Sequence, residues 1–434
     1  MHGDSALRKG FLWNTAGNLI YMLCQYAFTI LVLRLAGETG SGLFNLAQSY
    51  TNIFLTVASY GMYSFQVSDA RDKYPQYCYI QSRVATVSLA TAMCACSIAL
   101  GALALGYSVE QCACILLYHG YRMVESSTDV FNAIEQKHMR LDIVGKTYAL
   151  RGVVSLAIFM AALAATHDIA LTLTLMLSAN LVVFIGFTLP RARPFYKREY
   201  AGRRALAALL AECLPLVVYS ALNTTAASLP KILMEQVLGG DKLGIYGPVT
   251  APVLMLQVGA SYLFTPFITV FSQSYADRDA HRFWDAVLSV QGIVTALLPM
   301  GWLVAHFLGG WGLSVFVGQG SEAYQYLLGP MVVSAVLTAM VLFYSMVLTV
   351  MRCMRGLIFA NVLGIAAAAL ISRPFMLRWD MQGATFASIA ALLVQAACLG
   401  FVLVRRARRH FSAGPHRPAQ EPDGLPSDAA DTLE

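Results

Sequence analysis

One apolar stretch near residues 111–134 carries Tyr118, Tyr121, Arg122, Glu125, Ser126, Asp129 and Asn132. Their three- and four-residue spacing places them on one face of a helix. Ionisable groups in such a setting are costly, face an interior cavity, and are functional candidates by default. Arg122 and Glu125 can form a purely structural ion pair. Two carboxylates against one arginine also leave excess negative charge, which suits proton or cation coupling at Glu125 and Asp129. The stretch near 11–36 adds Asn14, Asn18, Tyr21 and Gln25 on one side, with Arg34 close to its far end. That near 206–237 adds Asn223, Thr224, Lys231 and Glu235, and Arg151 stands near the start of the one at 147–165. Arg34 either snorkels to the interface or turns inward, and Lys231 either pairs with Glu235 or stands alone. Should Arg34, Arg122, Arg151 and Lys231 share a cavity, with Asn14, Asn18, Gln25, Tyr118 and Asn223 lining it, their charge suits a diphosphate. Arginine grips phosphate oxygens through its fork and lysine acts as a point charge.

Enzyme chemistry is not signalled. The chain contains no Walker A pattern, no glycine-rich dinucleotide turn, no GxSxG elbow and no HExxH. His119 and His306 have no partners at ligand spacing, and neither a metal nor a cofactor is expected. The nine cysteines lie mostly within apolar stretches and read as small hydrophobes.

The elements that must position these groups follow from composition. Of 434 residues, 57% are hydrophobic and 12% charged, about half the charge of a soluble domain. A spanning helix needs about 20 apolar residues. Candidates fall near 11–36, 43–67, 84–106, 111–134, 147–165 and 169–189, and again near 206–237, 244–271, 284–308, 322–350, 356–373 and 382–404. Helix is required because lipid offers the backbone no hydrogen bonds. The expected fold is therefore an all-α polytopic membrane protein with twelve transmembrane helices in two parallel six-helix lobes. The expected divisions are 1–190, a basic linker 191–205, 206–410, and a disordered tail 411–434. The first stretch is a retained span rather than a cleaved signal.

Lysine and arginine mark one side: Arg8, Lys9, Arg71, Lys73, Arg83, Lys137, Arg140, Lys146, the Arg191–Arg204 cluster, Arg278, Arg282, Arg352, Arg355 and Arg405–Arg409. The other side offers little beyond Lys242 and Arg378. The positive-inside rule then places both termini in the cytoplasm. The net charge of +6 is a topology signal, with no nucleic-acid partner implied.

An internal repeat appears at an offset of 202 residues, where Gly37 falls on Gly239, Gly42-Leu-Phe44 on Gly244-Ile-Tyr246, Ala58-Ser-Tyr60 on Ala260-Ser-Tyr262 and Phe65 on Phe267. Duplicated six-span units share one orientation and place a binding site between lobes. Prolines break the symmetry. Pro215, Pro230, Pro248, Pro252, Pro266, Pro299 and Pro330 lie in or beside spans of the second half. The stretch with Pro215 and Pro230 is the expected bent, gating helix, and static kinks are the alternative.

Leu33-Arg-Leu-Ala-Gly37 followed by Gly42-Leu-Phe44 resembles the first-to-second span signature of polysaccharide-type lipid-linked oligosaccharide flippases. Phe131-Asn-Ala-Ile-Glu-Gln-Lys-His-Met-Arg140 resembles their connection between spans four and five. The resemblance covers about residues 8–405 and implies the fold of the multidrug/oligosaccharidyl-lipid/polysaccharide exporters. It also implies movement of an undecaprenyl-diphosphate-linked oligosaccharide to the outer leaflet of the bacterial cytoplasmic membrane. Arg34 is the one residue carried over from the motif. Glycan polymerase or assembly proteins are the implied partners beside substrate and bilayer. The related lipid II flippases usually have about fourteen spans, so twelve disfavours a peptidoglycan precursor. A cation-coupled multidrug exporter of the same fold is the alternative, favoured by Glu125 and Asp129. A membrane glycan polymerase or ligase ranks lower because the outer loops are short.

Overall fold

Glycine explains how two long apolar segments turn from one helix straight into the next. In the computed structural model, which describes residues 2–69, 73–251, 267–318, 320–351 and 353–412, helix α1 (His2–Ser59) is broken only at Gly37 (φ 69°, ψ −169°). A side chain is strained there, and glycine is not. Gly239, 202 residues on, closes α8 with φ 91° and ψ 164°, so the two halves turn at equivalent positions. The remaining elements are α2 (Met62–Ser68), α3 (Gln76–Leu105), α4 (Val109–Lys137), α5 (Leu141–Thr166), α6 (Ile169–Val183), α7 (Leu189–Ala192) and α8 (Arg203–Leu238). Then come α9 (240–251), α10 (Phe267–Ala276), α11 (Ala280–Phe316), α12 (Leu328–Val350) and α13 (Met354–Ser412).

Each expected span lies on helix among the described residues, the second with a break at Tyr60–Gly61 and the eighth only at its two ends. Among the described residues, eight helices are long and apolar enough to cross a bilayer by length and composition. Helix α4 has the length but carries the ionisable stripe. The architecture is all-α, and large apolar side chains such as Leu103, Val109, Leu370 and Phe307 are exposed. This inside-out surface fits a solvent of lipid.

Several boundaries differ from expectation. The second span ends at Ser59, where Tyr60 and Gly61 take left-handed conformations before the short α2. Helix α3 begins at Gln76 and α5 at Leu141, each about two turns earlier than the apolar windows. Apolar windows report hydrocarbon thickness, whereas helices continue beyond it. Helix α8 runs through Pro215 and Pro230 without interruption. Arg71, Arg352, Pro252, Pro266, Ala260-Ser-Tyr262 and the tail from residue 413 lie outside the described residues.

The first span packs on α5 through glycine. A Cβ at Gly17 would lie 2.0 Å from the Gly145 carbonyl oxygen, and one at Gly145 would lie 2.1 Å from that of Trp13. Gly152 faces the Cα of Tyr21 at the same contact. Without a hydrophobic force between helices in lipid, such small-residue contacts let backbones approach and gain dispersion. This contact carries Tyr21 and Gln25 up to α4 and α5.

The halves meet reciprocally at the end that carries Gly37 and Gly239. A Cβ on Gly42 would strike the Gly240 oxygen at 2.2 Å, and one on Gly244 would strike the Glu38 oxygen at 1.9 Å. Those are the same contact exchanged between repeats. Thr39 donates to Asp241 at 2.7 Å, a pair separated by the repeat offset of 202. Equivalent residues touch only beside a twofold axis. The duplication is thus present in space as well as in sequence.

Candidate functional site

Glu125 gathers the polar groups of three helices. It is 3% exposed and lies mid-way along α4. Arg122, one turn earlier, pairs with its Oε2. Arg151 of α5 reaches its Oε1 at 3.3 Å, and Tyr21 of α1 donates its hydroxyl to the same oxygen. Gln25 Nε2 donates to the Tyr21 hydroxyl at 2.7 Å, and to Glu125 Oε1 and the Tyr121 hydroxyl at 3.3 Å each. Arg122 also donates to the Tyr21 hydroxyl at 3.1 Å. The guanidinium of Arg151 lies 4.9 Å from the Tyr21 ring centre and 5.6 Å from that of Tyr148, a cation–π clamp.

The charge balance reverses the one read from α4 alone. Two guanidinium groups face Glu125, where the sequence set two carboxylates against one arginine. Arg151 lies about 15 Å inside α5 at 1.5 Å per residue, because that helix starts at Leu141 rather than near residue 147. A third cation was hidden among the loop charges. Arg83 is inside α3, 3% exposed, and donates to the Ala58 carbonyl and, at 2.9 Å, to Ser126 Oγ. Extending α3 by the helical register from residue 84 would have revealed it. Asp129, half-buried, accepts from Tyr148 at 3.5 Å. Arg122 Nε and both Nε and Nη1 of Arg151 are buried without an acceptor among the described residues. Buried donors without acceptors are costly and mark a place where an anion would be welcome.

The other expected site residues lie elsewhere. Arg34 is about 14 Å along α1 from Gln25 by helical rise. It donates to the Val317 carbonyl at 3.1 Å and to that of Val315. It therefore ties the end of the first span to the end of α11, beside a cleft of about 820 Å³ that also includes Glu38 and Tyr324. Lys231 does not pair with Glu235, whose carboxylate takes Gln111 at 2.7 Å. Lys231 and Asn223 are half-buried on α8 with no hydrogen bond or ion pair among the described residues. Asn18 is exposed and bonded to Asn14 one turn earlier. Tyr118 is packed into the core edge-on to Phe44, 5.2 Å between ring centres, instead of lining a cavity. His119 packs edge-on to Phe54, and His306 stacks on Trp302.

At the basic end the halves are joined by charge. Lys73 lies 2.5 Å from Glu212 of α8, and Tyr74 donates to the same carboxylate at 3.0 Å. The hydrogen bond to Glu212 holds the exposed Lys73 amine above the ordinary lysine range. Both ends of the interface are therefore bridged, glycine-tight at one and ionic at the other.

Comparison with known proteins agrees with this architecture. A model of the family described as polysaccharide biosynthesis protein matches residues 7–275. The capsular polysaccharide biosynthesis protein CapF of Staphylococcus aureus is 22% identical over 278 residues, 63% of this chain and 68% of that protein. An inward-facing multidrug resistance MATE family transporter of the MOP superfamily superposes with a TM-score of 0.66 at 14% identity, over 94% of this chain and 100% of that one. The lipid II flippase MurJ in an inward closed conformation gives 0.61 at 11% identity, over 93% and 90%. At these identities the structural likeness establishes the fold alone.

Proposed function

We propose, from the premise that this chain belongs to the polysaccharide biosynthesis protein family, that it flips an undecaprenyl-diphosphate-linked oligosaccharide between leaflets. The observation carrying this reading is the buried cationic excess around Glu125: Arg122, Arg151 and Arg83, with unsatisfied N–H donors on the first two. A diphosphate offers the acceptors those donors lack, and guanidinium forks match phosphate oxygens. With the basic side cytoplasmic, as the positive-inside rule expects, movement runs from inner to outer leaflet. The glycan and diphosphate travel through the protein while the prenyl tail stays in lipid.

Alternating access needs the two ends to open in turn. Lys73–Glu212 closes the cytoplasmic end, and the reciprocal glycine contact, with Arg34 holding the α11 carbonyls, closes the outer one. Glu125 serves as the resident counter-ion: substrate phosphate replaces it on Arg122 and Arg151, and it reclaims them on release. Protonation of Glu125 or Asp129 would favour the substrate-bound state, which supplies a route to ion coupling. Lys231, without a hydrogen bond or ion pair among the described residues, is the second-half cation that joins the diphosphate when the halves rock.

A cation-coupled multidrug exporter is the competing reading, since the superposed MATE structure is a multidrug resistance transporter. A cationic interior repels the cationic drugs such a protein would carry. The test is a strain whose surface glycan depends on this chain. Arg151→Gln is expected to lower surface glycan at least about tenfold with the protein still in the membrane, the cost of one charged hydrogen-bonding partner. Drug resistance is expected to be the same with and without the chain. Unchanged glycan together with lost drug resistance would overturn the proposal in favour of the exporter.

A further inference from the structure

A cluster of cations lies at the basic end of the first half, apart from the Glu125 cluster. A pocket of about 390 Å³ is lined by Arg140, Asp142, Lys146, Phe187, Arg191 and Phe195, among others. Its lining carries three cations and one carboxylate. Arg140 forks onto Asp142 at 3.0 and 3.2 Å, and Lys146 stands 3.8 Å from it. Arg191 forms no salt bridge among the described residues, although the buried Glu135 lies within electrostatic reach of it and of Arg140. Its guanidinium lies 3.7 Å from the Phe187 ring centre and donates to the Phe187 carbonyl at 3.3 Å.

Local backbone chemistry aims Arg191 into this pocket. Pro190 has no N–H, and its ring collides with the carbonyl four residues back in an α-helix. The chain answers by widening to a π-turn at Phe184–Thr188. Such turns insert a residue and rotate everything after them. This shift stacks Phe187 and Arg191 at the mouth of the pocket.

The same helix links the pocket to lipid. Val182 is 70% exposed just before the π-turn, and Ile185 is 61% exposed within it, an apolar ridge suited to lipid. An acyl chain lying along Val182 and Ile185 places its headgroup at Arg191. A lone phosphate ion would fill only part of the space and gain nothing from that ridge.

We infer that this pocket binds the phosphate of an anionic glycerophospholipid, through Arg191, Lys146 and Arg140, as a lipid site separate from the transport path. Basic pockets between spans at the membrane surface recognise headgroups in this way. Asp142 is the internal competitor, holding Arg140 and Lys146 until a phosphate takes them.

The test is native mass spectrometry of the full-length protein in detergent, titrated with phosphatidylglycerol or with phosphatidylcholine. The wild-type protein is expected to retain one phosphatidylglycerol that phosphatidylcholine does not replace. Arg191→Ala with Lys146→Ala is expected to weaken that binding about tenfold. Asp142→Asn, which removes the competitor, is expected to tighten it several-fold, and a misfolded variant cannot produce such a gain. Equal retention of both lipids, or no change in any variant, would overturn the inference. Full displacement of phosphatidylglycerol by millimolar inorganic phosphate would overturn the lipid assignment and leave a free-phosphate site.

Discussion

Glu125→Ala is expected to destabilise the protein by about 3–5 kcal/mol, the cost of leaving a buried charge without its partner. Glu125 accepts from Arg122, Arg151, Tyr21 and Gln25 at once, so its loss strands two guanidinium groups. Thermal unfolding in detergent measures the loss. Replacing all three charged residues by apolar ones of similar size is expected to recover most of that stability, because an ion triad repays little beyond its own desolvation. The triple variant should nevertheless be inactive. This combination separates the structural role of Glu125 from the anion-binding role of its partners. Glu125→Gln keeps the shape and the Tyr21 bond while freeing the arginines. It is expected to bind a diphosphate lipid more tightly and to turn over more slowly, since nothing then displaces the product.

Gly244→Ala should hold the glycine end of the interface open. Its new Cβ would lie 1.9 Å from the Glu38 oxygen and 2.9 Å from the Gly42 nitrogen, and those are backbone atoms that cannot swing aside. Pulsed spin-label distances between Glu110 and Glu322, exposed on the two halves, are expected to lengthen, and transport to fall more than about tenfold. Gly240→Ala is the control, because nothing lies within 4 Å of a Cβ there. If Gly244→Ala left both distance and transport unchanged, the contact would have no part in closure.

The sequence carried the fold further than it carried the site. Class, spans and duplication were legible because lipid imposes them on every segment, and because Gly37 and Gly239 leave a matching signature at the turn. The stripe on α4 was legible as well, since three- and four-residue spacing defines a helix face. Its partners were not. Arg83 and Arg151 fall at span ends in the sequence reading because the polar residues at 76–83 and the charges at 140–146 look like loop, although the helices begin there. Those few turns decide the sign of the interior, and the acidic reading of α4 became cationic once Arg151 entered. Arg34 and Lys231 show the opposite limit. Both were recognised as intramembrane charges, but which carbonyl or cavity each meets depends on how the halves pack, and periodicity holds no record of that.

The most direct measurement is translocation by the purified protein in proteoliposomes, using an undecaprenyl-diphosphate-linked oligosaccharide whose glycan is accessible to a label on one side only. Wild-type protein is expected to transfer label-accessible glycan to the opposite leaflet, and Arg122→Gln and Arg151→Gln at least about tenfold less. Wild-type vesicles that leave this lipid in place while moving a cationic drug would contradict the proposed function.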